Sequence, residues 1–331
     1  MNKLAKLGRK GAKALLTANL ASVIRLLRCG PAGLDRRLSE TLAAIDPFGS
    51  APWNWRQPGC ATALPEAFFR GRIDKGTQIL LSLTYKSLVQ SAHDLPSLEE
   101  VEFQSFSQHR EDGVMLYLFS VLGTTNKVCV EICAGDCIEC NTSNLVVNHG
   151  WRAAMFDGSE ANIARGRWFY KQQTVGLDWH PPRMQQAWIT AENVNQLIET
   201  AGVRGEIDLL SLDIDGNDYW IWEAIDCVNP RVVCLEFNQG LGTNRAVTVP
   251  YDPQFVFDWN HPFFGGASLP AFVKLGRSKG YRLIGAESMG VNAFFLRDGV
   301  GDHLFPEVNP ADCPVRGCPE RQWSDYAWVD V

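Results

Sequence analysis

From about residue 100 the apolar positions of the chain fall into short blocks punctuated by glycine. The run 114–122 is almost wholly apolar and stops at Gly123, which predicts a helix. Residues 128–132 predict a short strand, 145–149 the end of a helix closed by Gly150, and 153–156 a second strand. A weaker third strand is predicted at 174–177, short and interrupted by Gly176. A helix follows over 191–201, with Thr190 as N-cap and Gly202 as its stop. Then come a strand at 207–212, apolar except for Asp208 and Ser211, a helix at 219–225, and a strand at 231–237 that is apolar without a break from Val232 to Leu235. A helix at 269–278, ended by Gly280, leads into two closing strands at 281–286 and 292–296.

Strands that alternate with helices, and that are too apolar for a sheet with one wet face, predict a parallel sheet covered on both sides. Only a few residues around Gly290 join the last two strands, too few for a crossover, so these two should pair antiparallel. The expected fold class is therefore α/β, a doubly wound, mostly parallel, Rossmann-like sheet with an antiparallel final hairpin.

The amino-terminal part differs. Leu16, Leu20, Val23 and Leu27 share one helical face with Arg25 opposite, giving an N-terminal helical extension. Residues 46–66, rich in Pro, Trp and Gly, read as an irregular linker. The expected division is a basic helical arm and linker over 1–99, a catalytic domain over 100–300, and a Pro- and Cys-containing tail over 301–331. Charge sharpens this division. The 331 residues carry 31 Lys/Arg and 37 Asp/Glu, a net −6. Residues 1–37 hold nine basic residues and one acid, or +8, which leaves 22 basic and 36 acidic residues, or −14, on the rest. An acidic body excludes a nucleic-acid groove, which must neutralise phosphates. The arm either docks on the body by its apolar stripe or lies on an anionic membrane surface, a peripheral contact. No stretch of eighteen apolar residues is present, and the signal-like run 14–24 is broken by Thr17, Asn19 and Ser22 without a clear cleavage site. A cytoplasmic location is expected, and the ten cysteines read as mostly buried free thiols.

Ligands of open α/β sheets bind beyond the carboxyl ends of the strands. Here every such end carries an acid: Glu131 and Asp136 after the first strand, Asp157-Gly158 after the second, Asp213, Asp215 and Asp218 after the fourth, Glu236 with Asn238 after the fifth. Crowded carboxylates repel one another, so a hydroxyl-bearing ligand or a cation is implied. Asp157 suits the two hydroxyls of a ribose. In the loop after the first strand Gly135 allows close approach of backbone to ligand, while Cys133 and Cys137 fill the flanking places.

The segments 107–113 (Ser-Gln-His-Arg-Glu-Asp-Gly), 130–136 (Val-Glu-Ile-Cys-Ala-Gly-Asp), 141–145 (Asn-Thr-Ser-Asn-Leu), Gly150-Trp151, 212–220 (Leu-Asp-Ile-Asp-Gly-Asn-Asp-Tyr-Trp) and Glu236-Phe237-Asn238 together resemble the FkbM-type family of S-adenosylmethionine-dependent methyltransferases. The resemblance covers roughly residues 103–298. It implies a class I methyltransferase fold with S-adenosylmethionine over the first two strands. Carried over residue by residue, it places Glu131 and Gly135 by the methionine part, Asp157 by the ribose, and Asp112 and Gly113 in an upstream motif lining the pocket; their neighbours Cys133 and Gly158 are expected among the cofactor-binding residues. Cys133 and Cys137 depart from the family's glycines.

Asp213 and Asp215 are two apart, as are Glu236 and Asn238, and on extended backbone each pair faces one way. These four can bind Mg²⁺ or a similar hard cation, which would hold an acceptor hydroxyl as its alkoxide; alternatively they cap the next helix. His109, His180 and His261 are candidate bases, with His261 preferred because it precedes the glycine-rich stretch Phe263-Phe264-Gly265-Gly266. Trp220 and Trp222 read as core. The spacing Cys133-x3-Cys137-x2-Cys140 also matches the iron–sulfur loop of radical S-adenosylmethionine enzymes. The expected activity is O-methylation of a sugar or specialised metabolite, a small-molecule or glycan acceptor, with Asp213, Asp215 and His261 as catalytic residues. Two alternatives stand beside it, a non-catalytic ligand- or partner-binding module on the same fold and a radical enzyme.

Overall fold

The computed structural model describes residues 73–173, 181–315, 317 and 323–331. The arm, the linker 46–66, the strand expected at 174–177, His180 and Cys318 lie outside these residues.

Seven strands form the main sheet: β1 (Val128–Ile132), β2 (Arg152–Asp157), β3 (Arg183–Gln186), β4 (Gly205–Leu212), β5 (Val228–Glu236), β7 (Tyr281–Ala286) and β8 (Asn292–Arg297), in the order β3-β2-β1-β4-β5-β8-β7. Strands β1 to β5 pair in parallel, with Cys129 opposite both Ala153 and Leu209, and β8 runs antiparallel between β5 and β7. The doubly wound, mostly parallel sheet and its antiparallel final hairpin are thus as the pattern predicts. Glu287 makes that hairpin turn: its buried carboxylate accepts the backbone N–H groups of Met289, Val291 and Asn292.

The alternation along each strand sorts residues to two cores. Val130, Ile132, Leu210, Leu212, Val233 and Leu235 face α5 (Val194–Thr200), α6 (Asp218–Ala224) and α7 (Leu269–Ser278). Cys129, Leu209, Val232 and Cys234 face α1 (Lys75–Gln90), α2 (Glu111–Leu122), α3 (Ser143–His149) and α4 (Glu160–Gln173). Trp222 is core, packed on Phe272, Tyr281 and Phe295, and Trp220 donates its indole N–H to the Val249 carbonyl. The seven described cysteines are free thiols, four of them buried. Among the described residues no helix is long and apolar enough to cross a membrane.

Three features depart from the expected elements. The third strand is Arg183–Gln186, a polar edge strand whose only buried residue is Met184, so it has no apolar pattern to read. Helix α5 starts at Val194 because the Asn193 side chain accepts the Thr190 N–H and donates to the Trp188 carbonyl, which makes 190–193 a turn. Helix α1 was not foreseen: Asp74 caps it by accepting the N–H and hydroxyl of Thr77, and Tyr85 packs edge-on against Tyr117 of α2. A small ribbon, β6 (Val247–Thr248) with β9 (Val329–Asp330), ties the last residues to the body, where Trp323 is buried with Leu241 and Val247.

At the amino-terminal edge of the sheet, Asp208 is fully buried. It accepts the N–H groups of Thr125, Asn126 and Lys127 and pairs with Arg231 at 2.8 Å, whose other bonds go to the Leu122 and Gly123 carbonyls. This acid holds the α2–β1 connection, in the first half of β4 and five residues before Asp213.

Candidate functional site

The site is built at the carboxyl ends of the parallel strands, beside the neighbouring β1 and β4 between which the strand order reverses. The loop leaving β1 is its first element. Cys133, Gly135 and Cys137 have φ of +58°, +54° and +60°. That conformation is disfavoured for residues bearing a Cβ, by roughly 1–2 kcal/mol each. The loop nevertheless keeps it at alternate positions, as a glycine loop would. Cys133 and Cys137 thus hold a backbone conformation for which glycine is usual. The loop is pinned by the Ala134 N–H on the Phe156 carbonyl at 2.8 Å and by the Asp136 carboxylate, which accepts the N–H groups of Ile138 and Glu139. Gly166 of α4 permits this packing, since a Cβ there would come within 2.7 Å of the Asp136 carbonyl. Above Gly135 nothing lies within 4 Å of where a Cβ would stand, so the loop's crest faces open space.

Asp157 ends β2 beside that crest. Its carboxylate accepts the Ser159 N–H at 2.8 Å and the Asn162 amide at 3.0 Å, which orient it, and burial raises its pKa. Gly158 follows, exposed, with the Trp188 indole 3.5 Å from its Cβ position. Glu131 is bonded to the segment that follows the loop. Its buried carboxylate is taken up by the N–H groups of Asn141 and Thr142 at 2.8 and 2.9 Å and by the Thr142 hydroxyl, so it anchors the start of α3. Asp112 is likewise bonded within the chain. One of its oxygens accepts the N–H groups of Ser105, Phe106 and Ser107 and the Ser107 hydroxyl, and builds that turn. Gly113 is needed for packing, because a Cβ there would strike the Val101 carbonyl and the Phe103 backbone.

The second element is the acid cluster. Asp213, Asp215 and Glu236 offer oxygens that all lie within 4.8 Å of one another. Asp215 has φ +58°, a strained conformation of the kind that functional sites retain. Asp218, the third acid at this strand end, is buried and accepts the N–H groups of Ile214 and Gly216 at 2.8 and 2.9 Å. Burial first, then the neighbouring Asp213 and Asp215, raise its pKa to about 7. Burial and the same two neighbours push Glu236 well above the ordinary carboxylate range. At neutral pH this cluster therefore holds a proton or calls for a cation.

Asn238 follows two residues after Glu236. Its amide donates to the Phe263 and Gly265 carbonyls and its oxygen accepts the Gly240 N–H, so it fixes the loop above. The ring nitrogens of His261 meet the Tyr326 hydroxyl at 3.1 Å and the Asp258 carboxylate at 4.0 Å, and the residue is exposed. It is tied to the carboxy-terminal segment. The backbone N–H of His109 donates to Glu111 at 2.8 Å.

A loop over 250–267 packs closely on the segment that carries Asp215 and Gly216. Phe255 lies where a Gly216 side chain would be, and a Cβ on Gly265 would be 3.0 Å from Phe257 and 3.1 Å from the Asp215 carbonyl. Phe264 stacks on Tyr326 at 5.0 Å and meets Trp328 edge-on. The iron–sulfur alternative loses its ligands here. Cys140 bonds to Ser143 at 3.0 Å, Cys137 is fully buried, and among the described residues only Asp213, Asp215 and Glu236 converge as a metal-ligating set.

No protein-family model matches the chain, and no curated protein matches it. Among solved structures it is similar to magnesium protoporphyrin IX methyltransferase from Synechocystis (10% identity, 71% of this chain and 92% of that chain, TM-score 0.37). It is similar also to an S-adenosylmethionine-dependent methyltransferase from Clostridium acetobutylicum (11%, 67% and 100%, TM-score 0.37). A third is an O-methyltransferase family protein from Burkholderia thailandensis (11%, 67% and 71%, TM-score 0.34). At these identities the likeness is one of fold alone.

Proposed function

We propose that this chain is an S-adenosylmethionine-dependent methyltransferase of the FkbM type that methylates an oxygen of a sugar or specialised metabolite. The observation that carries the reading is the β1 loop, left-handed at residues 133, 135 and 137, open above Gly135 and flanked by the Asp157 carboxylate. The residues fit a nucleoside cofactor: a bare, upturned backbone crest for close approach, and an oriented carboxylate that accepts bonds from paired hydroxyls.

When bound, S-adenosylmethionine supplies an electrophilic methyl group on a cationic sulfur. The chain's part is to position and to tune charge. Asp157 orients the ribose. The Asp213–Asp215–Glu236 cluster provides a negative field that favours a cation nearby and takes or shields the acceptor proton. The same three carboxylates would hold Mg²⁺ as hard oxygen ligands, and Asp218 braces the loop that carries two of them. We place the protein in the cytoplasm, with its basic arm as a peripheral contact to anionic membrane. Flotation with anionic liposomes, lost on deleting residues 1–37, tests that part.

Isothermal titration with S-adenosylhomocysteine tests the cofactor reading. Binding by the wild type, weakened at least about tenfold in Asp157→Ala, is expected for a lost pair of charge-assisted hydrogen bonds. No heat at high protein concentration would favour the non-catalytic module instead.

A further inference from the structure

The loop over 250–267 is tied down at both ends. Near its start the Tyr251 hydroxyl donates to Glu192 at 2.6 Å and accepts the Ala191 N–H at 3.0 Å. Near its end the Phe263 and Gly265 carbonyls accept the Asn238 amide. Between these anchors Val256 and Trp259 are 70% and 59% exposed. Trp259 is held in place all the same. The Asp258 carboxylate accepts the Asn260 N–H at 2.9 Å, the Asp258 carbonyl accepts the His261 N–H at 2.8 Å, and the indole meets Phe257 edge-on at 5.0 Å. Phe257 in turn lies 3.0 Å from where a Cβ on Gly265 would stand, a place 3.1 Å from the Asp215 carbonyl. One ring therefore separates Trp259 from the backbone that carries the acid cluster. A large aromatic face held in water forgoes the burial that its area favours, and a ligand laid on it would recover that burial. Charge narrows what the ligand can be. From residue 205 to 273 the chain holds ten acids and two basic residues, Arg231 and Arg245. Both are already paired, Arg231 with Asp208 at 2.8 Å and Arg245 with Asp330 at 3.1 Å. A phosphate or carboxylate here would meet like charge and no unpaired cation from this stretch.

We infer that Trp259 is the platform for the methyl acceptor, and that this acceptor is a sugar ring bearing no acidic group. The inference rests on the O-methyltransferase reading above and narrows its acceptor. A pyranose has an apolar C–H face to lay on an indole and hydroxyls at its rim to donate to carboxylates. An acidic sugar keeps the stacking face but adds the repulsion. A phenol also stacks, but it brings one hydroxyl to a site of several carboxylates, so the polyhydroxylated ring is the better match.

The test uses the full chain as wild type, Trp259→Phe and Trp259→Ala, with and without S-adenosylhomocysteine. The probes are the methyl glycosides of glucose, galactose, mannose and rhamnose, with glucuronate, glucose 6-phosphate and phenol as contrasts. Binding is read by saturation-transfer NMR and by tryptophan fluorescence, and the fold of each variant by its melting. At least one neutral glycoside should receive transfer at its ring C–H protons and change the wild-type fluorescence. Trp259→Ala should weaken that binding by about tenfold, and Trp259→Phe, which keeps a π-face, by about threefold or less. The two acidic sugars should bind at least about tenfold more weakly than the neutral ring. If Trp259→Ala fails to fold, loss of the glycoside-induced fluorescence change from folded Trp259→Phe decides. The inference is overturned if no neutral glycoside binds, if an acidic sugar or phenol binds as well as the best neutral one, or if Trp259→Ala keeps wild-type affinity. Those outcomes leave the cofactor reading intact, because S-adenosylhomocysteine binding is measured on the same proteins by calorimetry. No binding of S-adenosylhomocysteine by the wild type overturns the cofactor reading, and with it the assignment of the sugar as a methyl acceptor.

Discussion

Cys133 and Cys137 show how a residue can depart from a pattern while the backbone keeps it. Both hold φ near +60°, the conformation for which glycine is usual, and burial raises both thiols well above their ordinary range. They are packing groups in a glycine loop's frame, not reactive thiols. Replacing Cys133 by Gly removes left-handed strain of about 1–2 kcal/mol but adds unfolded-state entropy of about 0.5–1 kcal/mol and loses thiol contacts. We expect Cys133→Gly to melt within about 1 kcal/mol of wild type by denaturant titration and to bind S-adenosylhomocysteine at least as well. Gly113 behaves oppositely. Its Cβ would enter the 101–103 backbone, so Gly113→Ala should cost about 3 kcal/mol or more, read in the same titration. The sequence displayed these positions but not their roles. Asp112, Glu131 and Asn238 look like ligand groups in a motif, and only their bond partners show that each serves a loop.

Among the elements, those with strong apolar content could be read directly: the ranges of α7 and β7 were foreseen to the residue, as was β1. Burial on both faces writes a continuous apolar run, and Gly123, Gly150, Gly202 and Gly280 end helices with positive φ. Elements stabilised by position rather than composition stayed hidden. Strand β3 is polar because it is an edge, and the packed 250–267 loop owes its course to Asn238, Gly216 and Gly265 rather than to any period. The α2–β1 connection is another such element. Asp208 read as a stray acid in a strand, but it is the ion partner of Arg231 and the acceptor for three backbone N–H groups. Asp208→Ala should destabilise the chain by about 3–5 kcal/mol, because it leaves a buried guanidinium and a bare turn. A loss under about 1 kcal/mol in equilibrium unfolding would remove this account of the connection.

At the scale of the molecule, acids dominate the carboxyl end of the sheet, and burial lifts two of them, Glu111 and Asp218, to about 7. Glu111 accepts the His109 N–H and the Asn292 amide yet has no cationic partner among its bonds. The fold keeps these protons after the unfolded chain has released its own near pH 4–4.5, so stability should fall as pH rises from there to about 7 and then level. Glu111→Gln should flatten that fall, by up to about 3 kcal/mol between pH 4.5 and 7.5 in denaturant titrations. An unchanged pH profile in the variant would show that Glu111 titrates normally.

The most direct test of the central claim is a crystal structure of the chain with S-adenosylhomocysteine. The account predicts the ribose hydroxyls on the Asp157 carboxylate, the backbone of 133–137 beneath the ligand, and the sulfur turned toward Asp213, Asp215 and Glu236. A ligand bound away from Asp157, or density at no site under saturating conditions, would contradict it.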